Sequence, residues 1–131
     1  MPPPEPAPAQ KARILVIDDD AAIGKVISRT LRVRHEVRCF ERAEEALAVV
    51  TAGERYELIL CDLMMPGMSG MEFHAAVLRL DPAQAARIVF LSGGACTEAA
   101  ARFLEEVPND RLAKPFDSGA LERLGDGLRR V

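Results

Sequence analysis

Tyr56-Glu57-Leu58-Ile59-Leu60-Cys61-Asp62-Leu63-Met64-Met65-Pro66-Gly67-Met68-Ser69-Gly70 is the stretch that decides the fold. Leu58 to Cys61 form a short apolar run without alternation, too short for a typical helix. Such a run reads as a strand buried on both faces, the kind found in a parallel sheet. It stops at Asp62, and Pro66, Gly67, Ser69 and Gly70 mark a turn behind it. One carboxylate therefore sits where a buried strand meets the surface. In open α/β sheets, ligands bind just outside the carboxyl ends of the strands. Asp62 is the first place to look for chemistry.

The pattern repeats on both sides of this stretch. Upstream, Arg13 to Ile17 is a continuous apolar strand ending in Asp18-Asp19-Asp20. Ile23, Ile27 and Leu31 then recur at helical spacing from about Ala21 to Arg34. Glu36 to Phe40 alternates, with Val37 and Cys39 on one face, and Ala43 to Ala52 is a helix stopped by Gly53. Downstream, a helix from Gly70 to Leu80 carries Phe73, Val77 and Leu80, and Asp81-Pro82 ends it. Ile88 to Leu91 is a fourth apolar strand, closed by Ser92-Gly93-Gly94. Thr97 caps a helix running to Val107. Arg111 to Ala113 is a short fifth strand ending in Lys114-Pro115. Asp117 or Ser118 caps a last helix with Leu121, Leu124 and Leu128 on one face, weakened by Gly119, Gly125 and Gly127. Strand and helix alternate five times. That order predicts an α/β fold, a five-stranded parallel sheet with helices on both faces and right-handed crossovers.

The 131 residues suffice for one domain with a real core. Met1 to Gln10 holds five of the nine prolines; residues 1–11 read as a flexible Pro-rich tail or linker and residues 12–131 as the folded domain. Seventeen basic against twenty acidic residues give a formal charge of −3. With no Lys/Arg cluster, that argues against nucleic-acid binding. No apolar run approaches membrane-spanning length, and the N-terminus has no charged-then-apolar leader. Cys39, Cys61 and Cys96 are odd in number and lack metal-type spacing. They read as reduced thiols of a cytoplasmic protein, Cys61 as a small buried hydrophobe.

The ends of the strands carry the chemistry. The first strand ends in Asp18-Asp19, the third in Asp62, the fourth in Ser92 and the fifth in Lys114. In a parallel sheet these ends share one edge. Clustered carboxylates repel unless a cation neutralises them, and an all-oxygen set suits Mg²⁺ rather than zinc. A carboxylate held beside Mg²⁺ can attack phosphorus and form an aspartyl phosphate. Phosphoryl transfer asks mainly for positioning and charge neutralisation, which Mg²⁺ and Lys114 would supply. Ser92 could donate a hydrogen bond to a phosphoryl oxygen.

Ile-Leu-Val-Ile-Asp-Asp-Asp, Asp-Leu-Met-Met-Pro-Gly-Met-Ser-Gly, Leu-Ser-Gly-Gly and Lys-Pro-Phe, in this order, resemble the receiver domain of bacterial two-component response regulators. The resemblance covers roughly Ala12 to the C-terminus. It implies a flavodoxin-like (βα)5 fold with strand order 2-1-3-4-5. It implies that Asp62 is the phosphoacceptor, that Asp18 and Asp19 are the acidic pair for Mg²⁺, and that the backbone carbonyl of Met64 is a further metal ligand. Ser92 matches the switch hydroxyl and Lys114 the phosphate-contacting lysine, with Lys114-Pro115 a cis peptide. The implied partners are a sensor histidine kinase or histidine phosphotransfer protein and a downstream protein, with the domain a monomer or weak homodimer. It would catalyse nothing beyond its own phosphorylation and dephosphorylation. Gly-Gly-Ala-Cys-Thr, Val-Pro-Asn and Arg-Leu-Ala-Lys-Pro-Phe look most like receivers attached to hybrid sensor kinases.

One position departs from that pattern. Relatives often carry Tyr or Phe three residues before the lysine, and here the residue is Arg111. A buried, unpartnered guanidinium is costly, so Arg111 is expected at the surface, and the signal is expected to travel through the Gly93-Gly94 loop and the following helix. Plainer roles stand beside the chemical ones. Asp20 reads as a helix cap, Met64, Met65, Met68 and Met71 as loop packing, and His35 and His74 as packed or surface residues rather than phosphohistidines. Two rivals remain: a phosphatase or phosphotransferase with its nucleophile pair at Asp18 and Asp20, and a receiver used for protein contacts without phosphorylation.

Overall fold

The computed structural model describes residues 11–93 and 97–127. The expectations that fall on the tail before Lys11, on Gly94 and Cys96, and on Leu128 lie outside the described residues.

β1 (Arg13–Ile17), β2 (Glu36–Phe40), β3 (Leu58–Asp62), β4 (Ile88–Ser92) and β5 (Arg111–Ala113) form one sheet. All its pairs are parallel and its order is β2-β1-β3-β4-β5. Between them run α1 (Ala21–Leu31), α2 (Ala43–Thr51), α3 (Gly70–Leu80), α4 (Pro82–Ala85), α5 (Glu98–Glu106) and α6 (Ser118–Asp126). The expected architecture is present, with one addition. Asp81-Pro82 ends α3, as read from the sequence, but it also starts α4. The Asp81 carboxylate accepts the N–H groups of Ala83 and Gln84, and Pro82 takes the first helical position, where its missing N–H is no loss.

The central strands are apolar on both faces because each face is covered. Ile14, Val16, Leu58, Leu60, Val89 and Leu91 meet Ile27 and Leu31 of α1 and Leu121 of α6. Leu15, Ile17, Ile59, Cys61, Ile88 and Phe90 meet Ala46 and Val50 of α2, Phe73 and Val77 of α3, and Ala100 of α5. Successive strand residues point to opposite faces. The row Ile14-Val16 therefore continues to Asp18, the row Leu58-Leu60 to Asp62, and Leu112 to Lys114. These three polar side chains are the outward continuation of three apolar rows on the α1/α6 face. Ser92 continues the other face, after Ile88 and Phe90.

Helix starts follow the sequence. Asp20 caps α1 through the N–H of Ala22, Thr97 caps α5 through Ala100, and Asp117 caps α6 through Ala120. Gly125 has a packing reason that its helix propensity hides: a Cβ there would lie 3.1 Å from His35 Nε2. No helix among the described residues is long and apolar enough to cross a membrane.

Candidate functional site

Asp62 closes β3, and the residue is nearly covered, at 7 % exposure. Asp18, just beyond β1, is buried at 2 %. The Lys114 ammonium reaches from the end of β5 across β4 and β3 toward β1. Its Nζ lies 2.8 Å from Asp18 Oδ2 and 3.4 Å from Asp62 Oδ2. Lys114 thus pairs with both carboxylates, the shorter contact being to Asp18. The other Asp18 oxygen accepts the N–H of Asp20 at 2.9 Å. Asp19 is exposed, yet it can place a carboxylate oxygen within 4.8 Å of oxygens of Asp18 and Asp62. Asp20 is spent on the α1 cap. The site thus gathers Asp18, Asp19, Asp62 and Lys114.

The charges in this cluster act on one another. Burial pushes the Asp62 carboxyl up to about 6; the Asp18 charge adds to the rise, while Lys114 and the Met64 N–H oppose it. Burial works against the charge on Lys114, but the bonds and charges of Asp18 and Asp62 outweigh it, and the ammonium is held more firmly than usual. Three carboxylates faced by one ammonium leave a net negative hollow. Such a hollow fits a hard divalent cation with oxygen ligands. Cys61, behind Asp62, is fully buried, and burial drives its thiol far up, which disfavours the thiolate form a nucleophile needs. Its Sγ donates to the Asp62 carbonyl at 3.3 Å.

The loop after β3 is wound tightly around Asp62. Asp62 Oδ1 accepts the Met64 N–H at 3.4 Å, and the Gly70 N–H donates to Leu63 O at 2.9 Å. A Cβ on Gly70 would collide with the backbone carbonyl oxygen of Asp62, so glycine is required where α3 starts. Met65 is buried, and Met68 and Met71 pack against the core, as expected for loop packing. Met64 does not pack; it is 44 % exposed.

Ser92 is half-buried at the end of β4, and its carbonyl accepts the Lys114 N–H at 2.7 Å. The two strand ends are thereby tied at the site. The Lys114-Pro115 bond is cis. Arg111 is exposed. His74 is a packed histidine: it is buried between Phe90 and Phe103, and burial lowers its pKa. Glu44, on the first turn of α2, went unremarked in the sequence because it reads as an ordinary helix-start acid. Its Oε1 accepts the Met68 N–H at 3.4 Å, tying α2 to the β3–α3 loop.

Comparisons with known proteins agree with this fold. Among curated proteins, the chain is 31 % identical over 119 residues to the C4-dicarboxylate transport transcriptional regulatory protein DctD of Rhizobium meliloti, covering 90 % of this chain and 25 % of that protein. It is 35 % identical over 122 residues to the DNA-binding response regulator MtrA of Mycobacterium tuberculosis, covering 92 % of this chain and 52 % of that protein. The chain thus spans between a quarter and about half of these relatives. Among solved structures, Vibrio cholerae chemotaxis protein CheY4 superposes with a TM-score of 0.76 at 28 % identity, covering 90 % of this chain and 98 % of that one. The Francisella response regulator 1452 receiver domain gives 0.73 at 26 % identity, covering 91 % and 97 %. The family model for the response regulator receiver domain matches residues 14–124, and the chain belongs to that family.

Proposed function

We propose that Asp62 is the phosphoacceptor of a two-component signalling relay. The observation that carries this reading is the placement of Asp62. It is a nearly covered carboxylate with Lys114 Nζ 3.4 Å away and two further acids, Asp18 and Asp19, within metal-sharing distance. The donor would be a phosphohistidine on a sensor histidine kinase or a phosphotransfer protein. An Asp62 carboxylate oxygen attacks phosphorus, the P–N bond breaks, and the imidazole leaves with the electron pair and takes a proton from solvent. Asp62 then carries an acyl phosphate. Water later attacks phosphorus and returns the carboxylate and free phosphate.

Asp18, Asp19, Asp62 and the Met64 carbonyl would hold Mg²⁺, which when bound neutralises phosphoryl charge. The protein supplies the rest. Lys114, held by Asp18, is aimed so that its ammonium can pair with a phosphoryl oxygen on Asp62. The Ser92 hydroxyl, at the adjoining strand end, can donate to another. The tight loop presents the Met64 N–H on the same side. Asp20, committed to capping α1, leaves Asp18 without the second acid that the phosphatase rival needs. The domain's only catalysis would be on itself, and its site of action would be the cytoplasm. Acceptor chemistry needs no aromatic residue at position 111, so Arg111 bears on the readout alone.

The test is labelling by acetyl phosphate. Wild type with Mg²⁺ should take up one phosphoryl group. Asp62→Asn, and wild type in excess chelator, should take up essentially none. Equal labelling of Asp62→Asn would overturn the assignment, and equal labelling in chelator would overturn the metal's part in it.

A further inference from the structure

The β3–α3 loop is pinned at three places. At its start Asp62 Oδ1 holds the Met64 N–H, and at its end Gly70 closes onto Leu63 and Asp62. Both of these contacts are made within the β3–loop–α3 segment itself. The third comes from outside it. Gly67 turns the chain with φ +76°, a conformation that L side chains rarely adopt. The Glu44 carboxylate of α2 lies against this turn. Its Oε1 accepts the Met68 N–H at 3.4 Å, and its Oε2 would be 2.8 Å from a Cβ on Gly67. The missing side chain at Gly67 is what lets the carboxylate approach. Glu44 is not one of the three acids that converge as a metal-binding set.

We propose that Glu44 is a positioning residue for the metal-dependent phosphorylation of Asp62, acting by fixing the loop that presents the Met64 carbonyl. The proposal rests on the phosphoacceptor reading above. A side-chain ligand can correct its aim by changing rotamer, whereas a backbone carbonyl points wherever the loop points. Mg²⁺ demands near-ideal octahedral geometry, so its affinity depends on how narrowly that carbonyl is held. Glu44 is exposed and its bond to the loop is long, so its effect is graded rather than absolute. Glu45, its equally exposed neighbour on α2, makes no such bond to the loop and serves as the control for bulk charge.

The experiment compares wild type with Glu44→Ala, Glu44→Gln and Glu45→Gln. Amide hydrogen exchange of residues 64–68 is read in metal-free protein, and Mg²⁺ affinity is read by NMR titration. Glu44→Ala should speed exchange in the loop and weaken Mg²⁺ binding by roughly threefold to tenfold, the range for loss of one charge-assisted hydrogen bond at a surface. Its labelling rate by acetyl phosphate should return toward wild type at saturating Mg²⁺. Glu44→Gln keeps an acceptor oxygen and should retain most of the protection. Glu45→Gln should change neither reading. Unchanged loop exchange in Glu44→Ala, or a loss of Mg²⁺ affinity in Glu45→Gln as large as that in Glu44→Ala, would overturn the proposal, the second result leaving only a charge effect. Wild type that binds no Mg²⁺ and takes no label would instead sink the phosphoacceptor reading, and this proposal with it.

Discussion

Asp62 holds its proton more tightly in the folded chain than its ordinary value of 3.8 allows, because burial and Asp18 disfavour its charge. The direction of the resulting pH dependence follows. A carboxyl with a raised folded pKa binds more protons folded than unfolded between about 4 and 6. It therefore favours the fold at low pH, and that contribution is lost as pH rises through this window. Metal-free Asp62→Asn should be more stable than wild type at pH 7.5 by roughly 1–3 kcal/mol. The gap should close as pH falls below 4, and urea denaturation in chelator reads both. Wild type being the more stable protein at pH 7.5 would mean that Lys114 more than neutralises the site. Lys114 is the counterpart. Removing one partner of a buried ion pair leaves uncompensated charge, so Lys114→Ala should lose about 2–4 kcal/mol of stability at neutral pH. Its Mg²⁺ affinity should be intact or raised, since a competing cation has gone; a large fall would make Lys114 part of the metal site. Asp18, Asp62 and Lys114 were legible as the ends of apolar strands. The preference of Lys114 for Asp18 was not, since the difference between 2.8 and 3.4 Å is set by packing across four strands.

Among the elements, α5 is held by few contacts. Ala100 is its buried residue, and Phe103 and Leu104 are half-buried against the core. Phe103 meets the Phe90 ring edge-on at 5.1 Å and the His74 ring at 5.4 Å. Asn109, just beyond α5, ties down this corner by donating to Ala85 O and Ile88 O. Phe103→Ala should cost about 1–3 kcal/mol and speed amide exchange in α5, with labelling of Asp62 unchanged. Exchange in α5 equal to that of wild type would show that the ring cluster does not hold the helix. Helix starts were readable because caps are local: Asp20, Thr97 and Asp117 each bind an N–H two or three residues on. α4 was missed because Asp-Pro reads as a stop, although the same dipeptide starts a helix. The work of Gln84 was also invisible. Its side chain is buried and bonds both the N–H and the carbonyl of Tyr56 at 2.8 Å. A bond spanning 28 residues leaves no periodicity in the sequence.

At the scale of the whole molecule, strand parity organises everything. The rows that bury Ile14, Val16, Leu58, Leu60 and Leu112 against α1 and α6 continue outward as Asp18, Asp62 and Lys114. A slip of one residue in any strand would turn its polar end to the other face. Ser92 shows the consequence: it follows the row of Ile88 and Phe90, so it continues the sheet face covered by α2, α3 and α5. The parallel sheet and this convergence followed from apolar runs alternating with helices and from their polar ends, whereas the strand order came from the resemblance to receiver domains. The exposed Arg111 agreed with the cost of burying a guanidinium. The loop clasp by Glu44 required the tertiary structure.

Asp62 is the proposed acceptor of the phosphoryl group, and its modified form can be trapped. Borohydride reduces an acyl phosphate to an alcohol with release of phosphate, converting the modified aspartate to homoserine. After acetyl phosphate and Mg²⁺ treatment, reduction and peptide mass mapping should find homoserine at position 62 and none at Asp18, Asp19 or Asp20. Homoserine at Asp18, or label without homoserine at position 62, would rule out Asp62 as the acceptor.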